Sequence, residues 1–455
     1  MLFRSFIFGG YGRRYTTGVF RDPSAWYHIL LKVDTTQATE ANRALLYVNG
    51  ALFPWNTQSS ISQNSTTQIN QAGAHNIGRQ TGQPYQSFDG YLTEVNFVDG
   101  QALDPTYFGE TDEDTGAWIP KAYEGTYGTN GFYLKGRGTD NSGNGNNWTE
   151  NNFNTTTSTA TTYDIMSDVP TLTDEDTSNF CTLNPLDFQR AGCTYSEGNL
   201  KAAWSGDTGL NTGTINIPET GKWYWEVVMP TGQSYQYFAF GIVGDKENVN
   251  TNVYLGSVTT GYGIYAVNGT KLVAGVASTY MAAVAQGTVM TIAYDADSGS
   301  LYIGAGGSWA NGSGATNQAF GTATAVVTGL TGDLTPAFSF NTGNYVVNFG
   351  QKPFTYTPPT GYKKLNTFNL PDSTIEDGSE HFGVGLWTGN GSASGPSVTN
   401  LNFKPEIVWS KSRSTVANNY LYDIVRSPGD SPNKSLGSHT TDAAQTVHAF
   451  TLPDT

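Results

Sequence analysis

Short apolar runs with a period of two recur along the chain, and they predict β-strands. Residues 221–228 place Trp223, Trp225 and Val227 on one face, the spacing of a strand with one buried side. Further strands are predicted at residues 26–33, 44–50, 91–98, 236–243, 289–294, 300–303, 405–410 and 420–425. No window keeps an apolar period of 3.6 residues, so the pattern predicts an all-β chain of tandem β-sandwiches.

Turn-forming residues group these strands into segments. Asn49-Gly50 predicts a hairpin turn because both residues tolerate positive φ. Residues 109–178 are rich in Gly, Asn and Thr, which indicates a connector between domains or a segment laid along a neighbour. The predicted units are residues 1–108, the connector at 109–178, a β-sandwich at 179–366 and a partial β domain at 367–455.

Composition and charge exclude several functional classes. The chain has 455 residues, 13% of them charged and 13% aromatic, with 54 glycines, and this balance argues against wholesale disorder. The net charge of −15 is unfavourable for binding nucleic acid or an anionic membrane. No run approaches the roughly 20 apolar residues of a membrane helix, and Arg4 interrupts the N-terminal apolar run, so we expect neither membrane insertion nor a signal peptide.

The residues that could carry metal or redox chemistry are few. Cys181 and Cys193 are favoured as free thiols, although a disulfide between them stays open. The five histidines form no metal-binding motif, so a zinc site is not expected. Asp295 and Asp297 have a spacing suggestive of calcium ligands, but a hairpin turn needs the same residues. The turn is favoured, no cofactor is assigned, and calcium is left open.

Hydrolysis of a glycosidic bond requires two carboxylates on a rigid cleft. The nearest approach is the acidic run Glu110-Thr-Asp-Glu-Asp114, which lies between glycines in the connector and reads as a solvated turn. Glu94, on a predicted strand, has no carboxylate two positions away. We therefore predict that the protein is not an enzyme.

Residues 179–366 resemble a SPRY domain, a bent β-sandwich that recognises proteins and other ligands. The resemblance rests on Gly221-Lys-Trp-Tyr-Trp-Glu-Val227, on Asp295-Ala-Asp-Ser-Gly-Ser-Leu301, and on Val347-Asn-Phe-Gly-Gln-Lys-Pro-Phe354 followed by Pro359-Thr-Gly-Tyr362. The last of these runs is the longest and the most specific.

The flanking segments resemble other modules. Trp26-Tyr-His28, Leu46-Tyr-Val-Asn-Gly50, Asn76-Ile-Gly78 and Phe88-Asp-Gly-Tyr-Leu-Thr-Glu-Val95 are similar to the later part of a laminin-G/concanavalin-A-like jelly roll, so this domain is expected to be incomplete at its N-terminus. Phe403-Lys-Pro-Glu-Ile-Val-Trp-Ser-Lys411 resembles a repeat of unknown function that follows SPRY domains in marine bacteriophage proteins. This order of modules is typical of phage tail-fibre or virion surface proteins, which implies a location on the virion surface.

Aromatic residues in polar loops are the candidates for ligand binding, because sugars stack on exposed rings. The candidates are Tyr235, Tyr254, Tyr262, Trp309 and Trp387, although packing within the domain is an alternative for each of them. Trp223, Trp225 and Phe349 follow strand patterns and are predicted to be core residues.

The predicted function is that of a phage tail-fibre adhesin that recognises host-surface glycan or a protein receptor. The expected partners are that receptor and other virion proteins, and a homo-oligomer is left open. One alternative is a purely structural virion module, such as a capsid decoration or part of a fibre shaft. A second alternative is a glycan-degrading tail spike.

Overall fold

The computed structural model confirms an all-β protein. It describes residues 5–7, 13–18, 20, 25–57, 60–73, 75–78, 88, 90–112, 116–136, 138–150, 164–170, 174–186, 193–232, 237–245, 254–372, 375, 377–390, 397–399, 401–426, 434–441 and 443–446. The chain divides into two compact units, Met1–Gly109 with Pro120–Pro371, and Glu110–Ile119 with Asp372–Thr455. In the described part of the chain, no helix is both long and apolar enough to cross a membrane.

The strands are short, with two exceptions. They are β1 (Ser5–Ile7), β2 (Arg13–Thr16), β3 (Ile29–Val33), β4 (Ala44–Val48), β5 (Ala51–Leu52), β6 (Trp55–Thr57), β7 (Val95–Phe97), β8 (Gly109–Thr111), β9 (Trp118–Pro120), β10 (Phe132–Leu134), β11 (Thr194–Ser196), β12 (Lys201–Thr212), β13 (Lys222–Val228), β14 (Ala239–Gly244), β15 (Gly261–Tyr265), β16 (Thr270–Val273), β17 (Val276–Thr279), β18 (Val289–Asp295), β19 (Ser300–Ala305), β20 (Ser308–Ala310), β21 (Thr316–Gln318), β22 (Leu334–Asn348), β23 (Lys363–Lys364), β24 (Ile407–Ser410), β25 (Tyr420–Asp423), β26 (Lys434–Gly437) and β27 (Gln445–Thr446). Short 3-10 helices lie at Glu40–Asn42, Pro105–Tyr107, Leu255–Ser257, Phe320–Thr322, Thr367–Asn369 and Gly378–Glu380.

The predicted N-terminal hairpin is present. Strands β3, β4 and β5 form an antiparallel sheet, and Asn49 (φ 47°) and Gly50 (φ 76°) make the turn between β4 and β5. Positive φ at both residues gives a tight turn whose twist matches that of the flanking strands. Alternate residues of β4 are buried, which is the one-sided burial that its sequence pattern predicts.

The strand predicted at residues 91–98 is shorter in the structure. It begins only at Val95, because Glu94 adopts a left-handed backbone conformation (φ 54°) that interrupts an extended strand. The carboxylate of Glu94 accepts a hydrogen bond from the Tyr133 hydroxyl. This bond links the residue that interrupts the strand to the segment predicted as a connector.

That following segment, predicted as a connector, is hydrogen-bonded to the N-terminal strands over its first part. Strand β10 pairs antiparallel with β7. The Asp140 carboxylate accepts hydrogen bonds from the backbone N–H groups of Tyr133 (2.9 Å), Ser142 (2.8 Å) and Asn146 (2.8 Å). These donors lower the pKa of Asp140 to about 2, against the opposing effect of burial. The Asn- and Gly-rich run therefore forms an ordered loop around one carboxylate.

A large sheet forms the sandwich between residues 194 and 364, and its strand pairs are antiparallel except for the parallel pair of β13 with β23. Its strands follow the order β17-β16-β15-β14-β22-β13-β18-β19-β20-β21, and β12 also pairs with β22. The 15-residue β22 pairs with β14 through Leu334–Ser339 and with β13 through Val346–Asn348. One long strand thus joins the two parts of the sheet, which lets the sheet curl around a single core.

The predicted core residues are confirmed. Trp223, Trp225 and Phe349 are buried with Phe238, Phe240 and Phe338 in the interior of the sandwich. Cys181 and Cys193 are free thiols, and burial raises the pKa of Cys181 to about 12. This finding agrees with the favoured interpretation from sequence, since Cys181 packs in the core as a small apolar residue.

A buried acid near this core yields a test of pH dependence. Burial raises the pKa of Asp168 to about 6, although its carboxylate accepts a hydrogen bond from the Phe180 backbone N–H (2.9 Å). A raised pKa in the folded state means that protonation favours folding. This stabilisation is complete below the unfolded pKa of about 4 and is lost as the pH rises through about 6. We expect Asp168→Asn to flatten the fall in unfolding free energy between these pH values in urea denaturation. An unchanged pH profile would contradict the assignment.

Candidate functional site

The sandwich carries a second, smaller apolar cluster on the outer face of its sheet, opposite the main core. Alternation along β14 directs Phe240 and Ile242 into the main core and Ala239 and Val243 to the outer face. Leu272 of the neighbouring strands lies with them on this face. The 3-10 helix Leu255–Ser257 shields part of this apolar outer face from solvent.

This 3-10 helix is held closely against the strands. Leu255 is buried on the outer face, and its backbone N–H donates to the Ser339 hydroxyl oxygen (3.1 Å) of β22. A Cβ at Gly256 would lie 2.5 Å from the Tyr254 ring and 2.9 Å from Leu272. The position therefore accepts only glycine without displacing its neighbours, and the Tyr254 ring is fixed beside the helix.

Three tyrosines lie together where this cover ends, and we call Tyr237, Tyr254 and Tyr265 the aromatic patch. The rings of Tyr237 and Tyr265 stack with centroids 6.0 Å apart and an interplanar angle of 21°. Tyr265 is opposite Ala239 in the β14–β15 register, so its ring stands on the outer face. Tyr237 is 49% exposed and Tyr254 is 38% exposed. These rings form a partly open apolar surface with hydroxyl groups at its edge.

The hydroxyl of Tyr265 stays protonated at physiological pH. Burial raises the pKa of Tyr265, and the neighbouring Tyr237 and Tyr254 raise it further. A neutral ring presents a negative π face that attracts weakly positive C–H groups, and its hydroxyl both donates and accepts hydrogen bonds. The arrangement is suited to binding a ligand that offers C–H faces and hydroxyl groups.

The structure brings only one of the five predicted ligand-binding residues into this patch, namely Tyr254. Tyr262 is opposite Ile242 in the sheet, and its ring packs against the main core on the inner face. Tyr262 is therefore not part of the aromatic patch, because its position in β15 is out of phase with Gly263 and Tyr265. Tyr235 lies outside the described residues.

Trp309 has the sequence context of a loop residue, but the structure places it in a strand. The residue lies in the short strand β20 and is only 8% exposed. Its ring makes an edge contact with Phe320 at 4.9 Å and packs beside Tyr224. This ring is covered by its own domain, which agrees with the packing alternative that the sequence leaves open for Trp309.

Trp387 belongs to the second compact unit and is 46% exposed. It follows an extended segment in which Phe382, Val384 and Leu386 are all exposed and alternate with glycines. A Cβ at Gly383 would lie 2.3 Å from Leu401, so the glycine side of this segment is the packed side. Trp387 follows this apolar run along the sequence and belongs to a different compact unit from Tyr237, Tyr254 and Tyr265, so it is not a member of the aromatic patch.

The carboxylates of Asp295 and Asp297 are engaged by the protein. Asp295 forms an ion pair with Lys222 (3.0 Å), and Asp297 accepts a hydrogen bond from the Gly221 backbone N–H (2.8 Å). A lysine ammonium at this distance disfavours a bound cation, so the pair does not fit the oxygen cage that calcium requires. Across the described ranges, no group of three His, Cys, Asp or Glu side chains is placed to hold a metal ion.

Sequence reasoning missed Tyr237 and Tyr265. Tyr237 lies in the strand predicted at residues 236–243, and Tyr265 lies outside the predicted strands, so neither is among the loop aromatics that the sequence offers as candidates. The alternation of side chains along each strand could have identified them. Tyr237 is out of phase with the large residue Phe240, and Tyr265 is out of phase with Ile264. A ring out of phase with the core points to the other face of the sheet.

Comparison with known proteins identifies the sandwich. The family model of the SPRY domain matches residues 222–352, and the chain therefore contains a SPRY domain. A domain of unknown function, DUF7483, matches residues 377–452. The crystal structure of the SPRY domain of human HERC1 is similar over 35% of this chain and 94% of that chain, with 13% sequence identity and a TM-score of 0.27. No curated protein matches the chain.

Proposed function

We propose that this protein is a non-enzymatic adhesin on the surface of a phage particle, and that its SPRY domain binds host-surface glycan through the aromatic patch. The observation that carries the proposal is the stacked, partly exposed pair Tyr237 and Tyr265 with Tyr254 beside it. The location on a tail fibre or virion rests on the order of modules along the sequence.

The arrangement of the patch favours specific binding of a sugar over nonspecific hydrophobic adsorption. Two rings are stacked and a third is fixed by the contact with Gly256, so little conformational freedom is lost when a ligand binds. A weak single site also suits a particle that carries many copies, because multivalent attachment multiplies a modest affinity.

The buried carboxylates of the sandwich support a non-enzymatic role. Glu226 is buried, and its oxygens accept hydrogen bonds from the Thr355 and Tyr356 backbone N–H groups. Asp168 is likewise held by a backbone donor. Carboxylates that accept hydrogen bonds from backbone N–H groups in this way are poorly placed to act as the acid and base of a glycosidase.

Replacement of Tyr237 by alanine tests the proposal. We expect the full chain to bind host cells or arrayed surface glycans, and Tyr237→Ala to weaken that binding by about thirtyfold, the effect of about 2 kcal/mol for an aromatic residue at the centre of a binding surface. Binding is measured by biolayer interferometry on immobilised glycan, and circular dichroism confirms that the variant is folded.

Tyr107→Ala is the matched control, since Tyr107 is also an exposed tyrosine but lies in the N-terminal segment. Its affinity should stay within about twofold of the wild type. A chain that binds neither cells nor any glycan would overturn the adhesin proposal and favour the structural alternative. Release of reducing sugar by the wild-type chain would favour the glycan-degrading alternative.

A further inference from the structure

The charge around the aromatic patch narrows the kind of glycan that it can hold. In the sequence from residue 229 to residue 270, which contains the three tyrosines of the patch, the only charged residues are Asp245, Lys246 and Glu247. Their sum is −1, from two acids and one base. The same stretch is rich in uncharged hydrogen-bonding side chains, which are Ser, Thr, Asn and Gln.

The nearest basic residue after this stretch is directed away from the patch. Lys271 is opposite Ile264 in the β15–β16 register, and Ile264 belongs to the main core. Its ammonium group donates to the Val326 backbone oxygen (3.3 Å). On the outer face, the residue opposite Tyr265 is Thr270, which places a hydroxyl beside the stacked rings.

Acidic polysaccharides carry carboxylate, phosphate or sulfate groups, and proteins bind these groups with Arg or Lys side chains in paired geometry. Between residues 229 and 270, the stretch that contains the three tyrosines, Lys246 is the one basic residue in the sequence, and the chain as a whole carries −15. An anionic glycan would therefore meet an unfavourable field with no compensating contact. An uncharged pyranose, by contrast, meets rings for its C–H face and hydroxyls for its edge.

We infer that the aromatic patch selects neutral glycans and discriminates against acidic polysaccharides. The inference rests on the proposed function and specifies its ligand class. It also implies that binding has little salt dependence, because no ion pair is formed between the protein and the sugar.

The test uses arrayed bacterial surface polysaccharides in pairs, each acidic polymer beside its carboxyl-reduced form, together with naturally neutral polymers. We expect the full chain to bind neutral and carboxyl-reduced forms. The affinity should change by less than about twofold between about 50 and about 300 mM NaCl. Binding should fall about thirtyfold in Tyr237→Ala.

Lys246→Gln removes the one cation in the sequence between residues 229 and 270, and its affinity for neutral forms should stay within about twofold of the wild type. Binding to acidic forms that is lost on carboxyl reduction, or a tenfold loss in Lys246→Gln, would overturn the inference while leaving glycan binding intact. Absence of binding to every polymer would instead overturn the proposed function.

Discussion

Replacement of Trp225 by alanine is expected to lower the free energy of unfolding by about 4 kcal/mol, the usual cost of removing a large aromatic side chain from a core. Trp225 is fully buried at the centre of β13, opposite Ile292 in the register, and its ring lies 6.2 Å from that of Phe349. Few positions could refill the volume, because β22 and β18 hold the strand on both sides. Urea denaturation followed by near-ultraviolet circular dichroism measures the loss.

Two variants make the result specific. The indole Nε1 of Trp225 is buried and has no hydrogen-bond partner among the described residues, so Trp225→Phe removes an unpaired donor and should cost only about 1 kcal/mol. Val276→Ala, at an exposed position on the edge strand β17, should stay within about 0.5 kcal/mol of the wild type. Equal losses in Trp225→Ala and Val276→Ala would show that Trp225 does not anchor the core.

The period-two pattern of 221–228 was enough to predict this strand and its inner face. Trp223 and Trp225 are buried as predicted, and β13 begins within one residue of the predicted start. Local sequence also determines the Asn49-Gly50 turn, because its positive φ values depend on those two residues alone. Features of this kind are encoded within a few residues, and a single sequence reveals them.

The aromatic patch was less predictable because it depends on contacts between distant residues. Tyr237 and Tyr265 meet through the pairing of β14 with β15, while Tyr254 is fixed by a glycine and by Leu272 of β16. Whether a loop aromatic such as Trp309 is open or covered depends on Phe320, which reaches it from another turn. Sequence patterns predict the faces of single strands, but they do not reveal which segment covers a face.

Glu226 shows the same limit within β13 itself. Alternation with Trp225 and Val227 predicts a solvent-exposed residue, yet Glu226 is buried because the segment after Phe349 folds over that face of the strand. Its Oε1 accepts hydrogen bonds from the Tyr224 hydroxyl (3.1 Å) and the Tyr356 N–H (2.9 Å). Its Oε2 accepts from the Thr355 N–H (2.9 Å). Burial raises the pKa of Glu226, and these donors act in the opposite direction.

Glu226→Ala is therefore expected to lower the free energy of unfolding by about 4 kcal/mol, because it leaves the Thr355 and Tyr356 N–H groups without their acceptor in a buried site and removes the nearer acceptor of the Tyr224 hydroxyl. Glu226→Gln keeps the size of the side chain but replaces one acceptor oxygen with a donor, so it should lose about half as much. Urea denaturation of both variants measures the difference, and an unchanged m-value would show that the folded state is as compact as in the wild type. If Glu226→Ala were as stable as the wild type, the carboxylate would not be what holds the Thr355–Tyr356 turn against β13.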